Sequence, residues 1–324
     1  MGLMVDGKWT TDWYKSDSKG RFKRPETKFR NRVTADGSSG FKAEAGRYHL
    51  YVSHACPWAH RTMIMRKLKK LEDAISVSIV DHFMGDDGWV FSENPGTIPD
   101  TVNNKQFLRE IYQLADSNYS GRVTVPVLWD KQEKTIVNNE SREILRMLDT
   151  EFDAVADSSA NYAPAALLDK IDETQTAIYE PINNGVYRSG FATTQAAYEE
   201  AVTQLFDALD HWDSVLETQR YLCGDVITEA DWCLFTTLVR FDPVYVGHFK
   251  CNLRRIVDYP NLWNYIKELY QVPGVAETCN FDHIKRHYYE SHTGINPTGI
   301  VPKGPIIDYS EPHDRNRLPA GNAA

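Results

Sequence analysis

Cys56 is the residue of this 324-residue chain best suited to covalent chemistry. It follows a run of alternating apolar residues and precedes Pro57, and proline is favoured at the first position of a helix. At such a strand–helix junction, unpaired backbone N–H groups and the helix dipole stabilise an anion, so a thiol there becomes a thiolate near neutral pH. The alternative is a buried structural cysteine. That is the expectation for the four cysteines without this setting, which are Cys223, Cys233, Cys251 and Cys279.

The residue three positions after Cys56 defines the kind of thiol chemistry. A dithiol redox motif reads Cys-x-x-Cys, but this chain has Ala59 at the fourth position. A mixed disulfide at Cys56 would therefore have no resolving thiol on the helix and must be cleared by an external thiol. The spacing predicts a monothiol enzyme that uses glutathione as that thiol.

Two pairs of neighbouring residues, Val125 with Pro126 and Glu140 with Ser141, have properties that suit ligand binding. Pro126 interrupts an apparent strand, which is tolerated when a cis Val125–Pro126 bond turns the backbone towards a ligand. Glu140 and Ser141 open a helix, where backbone N–H groups and the hydroxyl can hold a carboxylate. Simple capping of that helix explains the second pair equally well.

A histidine pair is the remaining candidate site. His283 and His287 have the i, i+4 spacing of a metal-binding pair on a helix. No Glu follows His283, and no third ligand is evident, so we expect no metal.

The elements that must position these groups divide into two halves. Alternating and helical runs in the order βα, β, insertion, ββα predict an α/β N-terminal thioredoxin-like domain, and the periodic segments after residue 164 predict an all-α C-terminal domain. The predicted strands cover 48–53, 75–80, 123–129 and 135–138, with helices over 57–70 and 140–148 and a long insertion over 83–121. The second half has helices over 165–179, 194–216, 229–241 and 262–270, and Thr228 with Asp231 forms a predicted capping box. The predicted divisions are an N-terminal extension over 1–45, a glutathione-binding domain over 46–155, a helical domain over 160–290 and a C-terminal extension over 291–324.

Composition excludes several classes of protein. With 36 basic and 45 acidic residues the net charge is −9, which disfavours broad binding of nucleic acid. No apolar run is long enough for a membrane helix, and the first residues lack the apolar core of a signal peptide. Five scattered cysteines are not a disulfide framework. We therefore expect a protein of a reducing compartment, in the cytoplasm, without a membrane partner.

Longer strings resemble a known family. The run Cys56-Pro-Trp-Ala-His-Arg61, with Val125-Pro126 and Glu140-Ser141, is similar to the cysteine-type glutathione transferases. More specific are Gly121-Arg-Val-Thr-Val-Pro-Val-Leu-Trp-Asp130, Arg240-Phe-Asp-Pro-Val-Tyr245, Asn280-Phe-Asp-His-Ile284 and Asn296-Pro-Thr-Gly299. They resemble the glutathionyl-hydroquinone reductases, the Xi class of glutathione transferases, and the similarity covers nearly the whole chain.

The resemblance implies a role for each matching residue. Cys56 would be the nucleophile, Tyr187 an acid–base residue, and Tyr245 and Tyr288 would support the thiolate by hydrogen bonding. Any one of these tyrosines taken alone is more typical of a core residue. The implied glutathione-binding residues are Trp89, Arg122, Val123, Thr124, Val125, Pro126, Glu140 and Ser141.

The activity implied is the glutathione-dependent reduction of S-glutathionyl-hydroquinones through a Cys56–glutathione mixed disulfide, with glutathione as co-substrate and a homodimer as the assembly. An omega-like thioltransferase or dehydroascorbate reductase is the nearest alternative, since it would share Cys56 and the glutathione site but not the three tyrosines. A non-enzymatic interaction module with the same fold is the third, although such a module has no need of a monothiol cysteine at a helix start.

Overall fold

The computed structural model describes residues 2–12 and 16–321. Its contacts divide the chain into two compact units, neither of which is continuous in sequence. Unit 1 comprises Met1–Trp13, Pro25–Ala160 and Glu277–Val301. Unit 2 comprises Tyr14–Arg24, Asn161–Ala276 and Pro302–Ala324.

The described elements of unit 1 include both strands and helices. The strands are β1 (Leu3–Val5), β2 (Lys8–Thr10), β3 (Tyr48–Val52), β4 (Ser76–Ile79), β5 (Gly121–Arg122), β6 (Val127–Asp130) and β7 (Thr135–Asn138). The helices are α1 (Pro57–Leu68), α2 (Leu108–Ala115), α3 (Ser141–Thr150) and, from the far end of the chain, α9 (Phe281–Ser291).

The main sheet has the strand order β4-β3-β6-β7. β4 runs parallel to β3, whereas β6 is antiparallel to both of its neighbours, β3 and β7. All five residues of β3 are fully buried, as expected of an interior strand whose two faces are covered, and α1 packs against α3. This mixed sheet confirms the predicted α/β N-terminal half.

One predicted strand is shorter than the sequence pattern indicated. The expectation was a strand over 123–129, but β6 begins only at Val127. The four residues before it contain the cis peptide bond between Val125 and Pro126, and proline has no N–H to donate to a sheet ladder. The predicted cis bond is confirmed.

A second, three-stranded sheet was not predicted. β1 pairs with β2 on one side and with β5 on the other, both antiparallel. Its strands have two or three residues each, too few to show the alternation that identifies a strand from sequence. Part of the predicted N-terminal extension therefore lies in a sheet beside the segment that leads to Pro126.

Unit 2 is helical throughout its regular structure, which confirms the predicted all-α half. Its described helices are α4 (Leu168–Ile178), α5 (Gly185–Gly190), α6 (Gln195–Thr218), α7 (Glu229–Arg240) and α8 (Pro260–Tyr270), with π-helical turns at Tyr179–Asn183 and Phe241–Tyr245. α7 is buried along its whole length, and α6 packs against α5 and α8. The capping box predicted at the start of α7 is confirmed, since the carboxylate of Asp231 accepts the backbone N–H of Thr228 at 2.7 Å.

The division into units differs from the sequence-based boundaries near α9. Contacts place residues 277–301 in unit 1, although the predicted helical domain extended to residue 290. The reason is that α9 bonds to the 81–97 segment of unit 1, as described below. No helix in the described parts of the chain combines the length and the apolar character needed to cross a bilayer.

Candidate active site

Cys56 occupies the N-cap of α1. Its backbone is extended (φ −78°, ψ 120°), and Pro57 is the first helical residue, as predicted. The Cys56 N–H donates to the carbonyl of Ser53 at 3.3 Å, which turns the chain from the end of β3 into the helix. The side chain is half-buried rather than enclosed. Cys56 therefore stands where the first N–H groups of α1 favour a negative charge on its sulfur.

The cis-proline segment lies beside this sulfur. The Sγ of Cys56 is 3.6 Å from the carbonyl oxygen of Val125. Val125 precedes β6, so its backbone is outside the ladder of the main sheet. Thr124 is fixed from the other side by the hydroxyl of Tyr112, which donates to its carbonyl at 2.8 Å. Val123 and Val125 are both buried. The structure thus brings Cys56 and Val125 together, as the resemblance implied.

The start of α3 is capped by the residues predicted to bind a ligand. Glu140 is the N-cap, and its Oε1 accepts the N–H of Arg142 at 3.4 Å. Its own N–H donates to Asn138 Oδ1 at 2.7 Å. Thr27 donates to the other carboxylate oxygen at 3.3 Å. The capping interpretation of Glu140 is therefore confirmed, and it leaves the ligand role as a separate proposal.

Arg61 is a site-region residue to which the sequence analysis gave no role. Its guanidinium donates from Nη1 to the hydroxyl of Ser141 at 3.3 Å and lies 4.5 Å from the centre of the Trp58 ring. Both Arg61 and Ser141 are buried. Arg61 thus places a positive charge beside the first residue of α3, and its presence in the quoted Cys56–Arg61 run was the available signal.

Arg122 has backbone partners in the N-terminal segment. Its Nη1 donates to the carbonyl oxygens of Gly2 and Asp12 at 3.2 and 2.5 Å. Those two carbonyls lie at either side of the β1–β2 hairpin. The first residues of the chain therefore orient the guanidinium that the resemblance assigns to glutathione binding.

Trp89 and Tyr288 both belong to unit 1, and both are buried. Trp89 stacks on His287, with ring centres 4.9 Å apart and planes within 19°. Tyr288 is the next residue of α9 and is 1% exposed. Its ring meets that of His292 edge to face at 5.4 Å. The same short stretch of α9 therefore carries Tyr288 and the ring that supports Trp89.

Tyr187 and Tyr245 lie in unit 2, in what we call the aromatic cluster (Tyr187, Phe191, Tyr245 and Phe249). The rings of Tyr187 and Tyr245 are 6.1 Å apart. Phe249 stacks on Tyr245 at 5.5 Å with planes within 5°. The guanidinium of Arg24 lies 4.8 Å from the centre of the Tyr187 ring. The structure thus brings these two predicted tyrosines together.

The other cysteines separate into two groups. Cys223, Cys233 and Cys251 are buried, which confirms the packing interpretation for them. Burial raises the pKa of the Cys223 thiol and of the Cys251 thiol. Cys279 is half-buried, with its sulfur 3.8 Å from Nε2 of His60.

The histidine pair on α9 is engaged by carbonyl groups. His283 Nε2 donates to the Pro95 carbonyl at 2.7 Å, and His287 Nδ1 donates to the His82 carbonyl at 2.7 Å. Over residues 2–12 and 16–321, no three His, Cys, Asp or Glu side chains form a group able to hold a metal ion. These bonds give the i, i+4 spacing a structural explanation.

Two domain families match the chain. Residues 55–151 match the glutathione S-transferase N-terminal domain, and residues 195–268 match the glutathione S-transferase C-terminal domain. The first range contains Cys56, the cis-proline segment and the start of α3.

Full-length relatives are similar over almost the entire chain. The chain is 55% identical to the glutathionyl-hydroquinone reductase YqjG of Escherichia coli, over 98% of this chain and 99% of that one. It is 53% identical to the glutathionyl-hydroquinone reductase PcpF of Sphingobium chlorophenolicum, over 94% and 96%.

Solved structures extend the similarity to the fold. A Xi class glutathione transferase from Natrialba magadii superposes with a TM-score of 0.94 at 54% identity, covering 99% of this chain and 98% of that one. The glutathione-bound structure of YqjG superposes with a TM-score of 0.89 at 53% identity, covering 97% and 99%.

Proposed function

Because the chain belongs to the glutathione S-transferase family and has glutathionyl-hydroquinone reductases as full-length relatives, we propose that it reduces S-glutathionyl-hydroquinones with glutathione. The observation that carries the proposal is the position of Cys56. It is a partly accessible monothiol at the N-cap of α1, with Ala59 where a resolving thiol would be. Such a thiol forms a mixed disulfide that a second thiol must open.

In the first half-reaction, the thiolate of Cys56 attacks the sulfur that joins glutathione to the hydroquinone ring. Direct departure of the ring as an aryl carbanion is too costly, so the hydroquinone first becomes its keto form by gaining a proton on the sulfur-bearing carbon and losing one from a ring hydroxyl. Attack then forms the Cys56–S–S–glutathione bond and breaks the carbon–sulfur bond. The electron pair of the broken bond restores the aromatic ring, and the hydroquinone leaves after protonation at oxygen.

In the second half-reaction, a glutathione thiolate attacks the glutathione sulfur of the mixed disulfide. Oxidised glutathione leaves and Cys56 returns as a thiolate. Over the cycle the sulfur of the substrate's thioether and the sulfur of the second glutathione lose one electron each, and the ring carbon that carried the sulfur gains two. Cys56 is thus a covalent nucleophile in a ping-pong cycle. Tyr187 is the proposed acid for the ring carbon, and Tyr245 and Tyr288 are the proposed hydrogen-bond donors to the thiolate.

The proposed glutathione contacts are consistent with the geometry of unit 1. The backbone of Val125, outside the sheet ladder and beside Cys56, can pair with the cysteinyl part of the tripeptide in the manner of an added strand, with Val123, Thr124 and Pro126 shaping the segment. The N-terminus of α3 suits the γ-glutamyl carboxylate at Ser141, with Glu140 facing its ammonium group. Trp89 and Arg122 complete the proposed contacts.

We further propose that the protein is a homodimer, as the family resemblance implies, and that it works in the cytoplasm, as its sequence led us to expect. Light scattering coupled to size-exclusion chromatography tests the oligomeric state, and fractionation of the source cells tests the location.

The test of function compares the hydroquinone conjugate with the substrates of a thioltransferase. The protein is incubated with a glutathionyl-hydroquinone and glutathione, and free hydroquinone and oxidised glutathione are followed by chromatography. We expect one hydroquinone for each oxidised glutathione, and no release with Cys56→Ser. An omega-like thioltransferase would instead reduce dehydroascorbate or a small glutathione mixed disulfide and leave the hydroquinone conjugate intact. An interaction module would turn over none of these.

A further inference from the structure

α9 is attached to the 81–97 segment of unit 1 by side-chain hydrogen bonds along its length. His283 and His287, one turn apart, each donate to a carbonyl of the segment at 2.7 Å. Near the end of the helix, Ser291 Oγ accepts the backbone N–H of Met84 at 3.0 Å, and Glu290 lies 3.0 Å from Nε2 of His82. The segment that carries Trp89 is thus held by α9 at several points.

The carbonyl that receives His287 is itself held in place. It belongs to His82, whose imidazole lies between the carboxylates of Asp81 and Glu290, at 3.1 and 3.0 Å. Asp81 accepts hydrogen bonds from Ser92 Oγ at 2.6 Å and Asn94 Nδ2 at 2.7 Å. Burial alone would raise the pKa of Asp81, but these bonds, the Phe83 N–H and His82 hold it below its ordinary value. The ionised, hydrogen-bonded carboxylate of Asp81 therefore anchors His82, whose carbonyl accepts the hydrogen bond from His287.

His287 makes a second contact that His283 does not share in the described structure. Its ring lies almost parallel to the indole of Trp89, 4.9 Å away, and both residues are buried. The bond from Nδ1 to the His82 carbonyl fixes the plane of the imidazole. Because stacked rings constrain each other's orientation, a fixed imidazole also fixes the indole.

We propose that His287 is a positioning residue that orients Trp89 for glutathione. The inference rests on the proposed function, in which Trp89 contacts glutathione. An indole offers one flat apolar face and one N–H donor, so its contribution to binding depends on its orientation. His287 acts through Trp89 and takes no part in the transfer of sulfur. Replacing His287 should therefore change the affinity for glutathione and leave the rate of the chemical step unchanged.

The test compares His287→Leu with His283→Leu. Both substitutions remove a histidine of α9 that donates to a carbonyl of the same segment, but only the first removes the ring under Trp89. An aromatic pair contributes about 0.5–1.5 kcal/mol, so we expect His287→Leu to weaken glutathione binding about two- to tenfold by calorimetry. KM for glutathione should rise by the same factor with kcat unchanged, whereas His283→Leu should bind as the unaltered protein does. Equal losses in the two variants would make the role merely structural and overturn the proposal.

Two further variants test whether the loss of affinity arises from the ring of His287 and is transmitted through Trp89. His287→Phe keeps a flat ring but loses the hydrogen bond to the His82 carbonyl, so it should recover part of the affinity, even if His287→Leu lowers the melting temperature. In a Trp89→Leu background, His287→Leu should cost no further affinity; a second, additive loss would show that His287 does not act through Trp89.

The two proposals fail separately. If the unaltered protein releases no hydroquinone, the proposed function fails, whatever calorimetry finds. If it releases hydroquinone but Trp89→Leu binds glutathione normally, the function stands, and the proposal for His287 is overturned because the indole has nothing to position.

Discussion

The five thiols of this chain should differ sharply in reactivity. Cys56 is at a helix N-cap and partly accessible, whereas burial raises the pKa values of Cys223 and Cys251. We predict that iodoacetamide at neutral pH modifies Cys56 first, as mapped by mass spectrometry over time. Cys279 is the internal control, since it is also partly accessible but is not at the N-cap of α1. Faster modification of Cys279 would show that access and not the helix terminus decides reactivity.

Replacing Tyr187 should slow the reduction of glutathionyl-hydroquinone but not the exchange of thiols with a small mixed disulfide. Its phenol is the proposed proton donor to the ring carbon, and such help is typically worth about 10² to 10⁴ in rate. Tyr187→Phe should therefore lower the reduction of glutathionyl-hydroquinone by that factor. Exchange with a small glutathione mixed disulfide needs no ring protonation and should be almost unchanged.

The control for this prediction is Tyr288→Phe, which should slow both reactions together by making the Cys56 thiolate scarcer. Equal losses of both reactions in Tyr187→Phe would reassign Tyr187 to support of the thiolate or of the aromatic cluster.

Residues whose partners are close in sequence were predictable, and those with distant partners were not. The bond between Thr228 and Asp231 joins residues three apart, so the capping box could be read directly. The partners of Arg122 are 120 and 110 residues away, and only the family resemblance suggested a ligand contact for it, since a surface ion pair was the better expectation for this arginine taken alone. The stack of Trp89 on His287 likewise joins two stretches of chain that no local pattern connects.

At the scale of single elements, the first turn of α1 allows a redesign of the cycle. Ala59 is fully buried in that turn, three residues after Cys56. Ala59→Cys places a thiol where it can attack a mixed disulfide at Cys56, so part of the turnover should proceed with an intramolecular disulfide. Mass mapping after one turnover should find residues 56 and 59 joined. Ala59→Ser is the matched control, and absence of the bond would contradict the placement of both residues on one turn.

Long periodic elements were predicted well and short ones were missed. α6 and α7 have 24 and 12 residues, enough turns to display an apolar pattern. α5 has six residues and β5 has two, so neither presents a repeat. Yet α5 carries Tyr187 and β5 carries Arg122, and both were assigned only through the family resemblance.

For the molecule as a whole, a buried histidine should shape the dependence of stability on pH. His49 lies in β3 between the hydroxyls of Ser76 and Ser78, at 2.7 and 3.0 Å, and burial lowers its pKa to about 4. The unfolded chain, with a histidine pKa of about 6.5, then binds more protons than the folded one between these values. Stability should therefore fall as pH decreases from 6.5 towards 4, by about 3 kcal/mol from this group.

Urea unfolding of the full chain at a series of pH values measures this effect. His49→Gln removes the titration and should flatten the curve between pH 6.5 and about 4.5. Below that, hydrogen-bonded carboxylates with lowered pKa values, such as Glu143, still lose their contribution as they gain protons. His211→Gln, at an exposed position, should leave the slope unchanged. A slope that survives His49→Gln would assign the effect to other groups.

The discontinuity of unit 1 has a consequence for how the protein is made. A ribosome releases the 81–97 segment long before α9, and the bond from His287 to the His82 carbonyl spans 205 residues. At about 5–20 residues per second, the segment waits roughly 10 to 40 seconds for its partner helix. During that interval the apolar surfaces destined for α9, among them the face of Trp89, are open to other nascent chains. Slower translation of the last hundred codons should thus increase aggregation of the nascent protein. The stability of the folded enzyme should be unchanged.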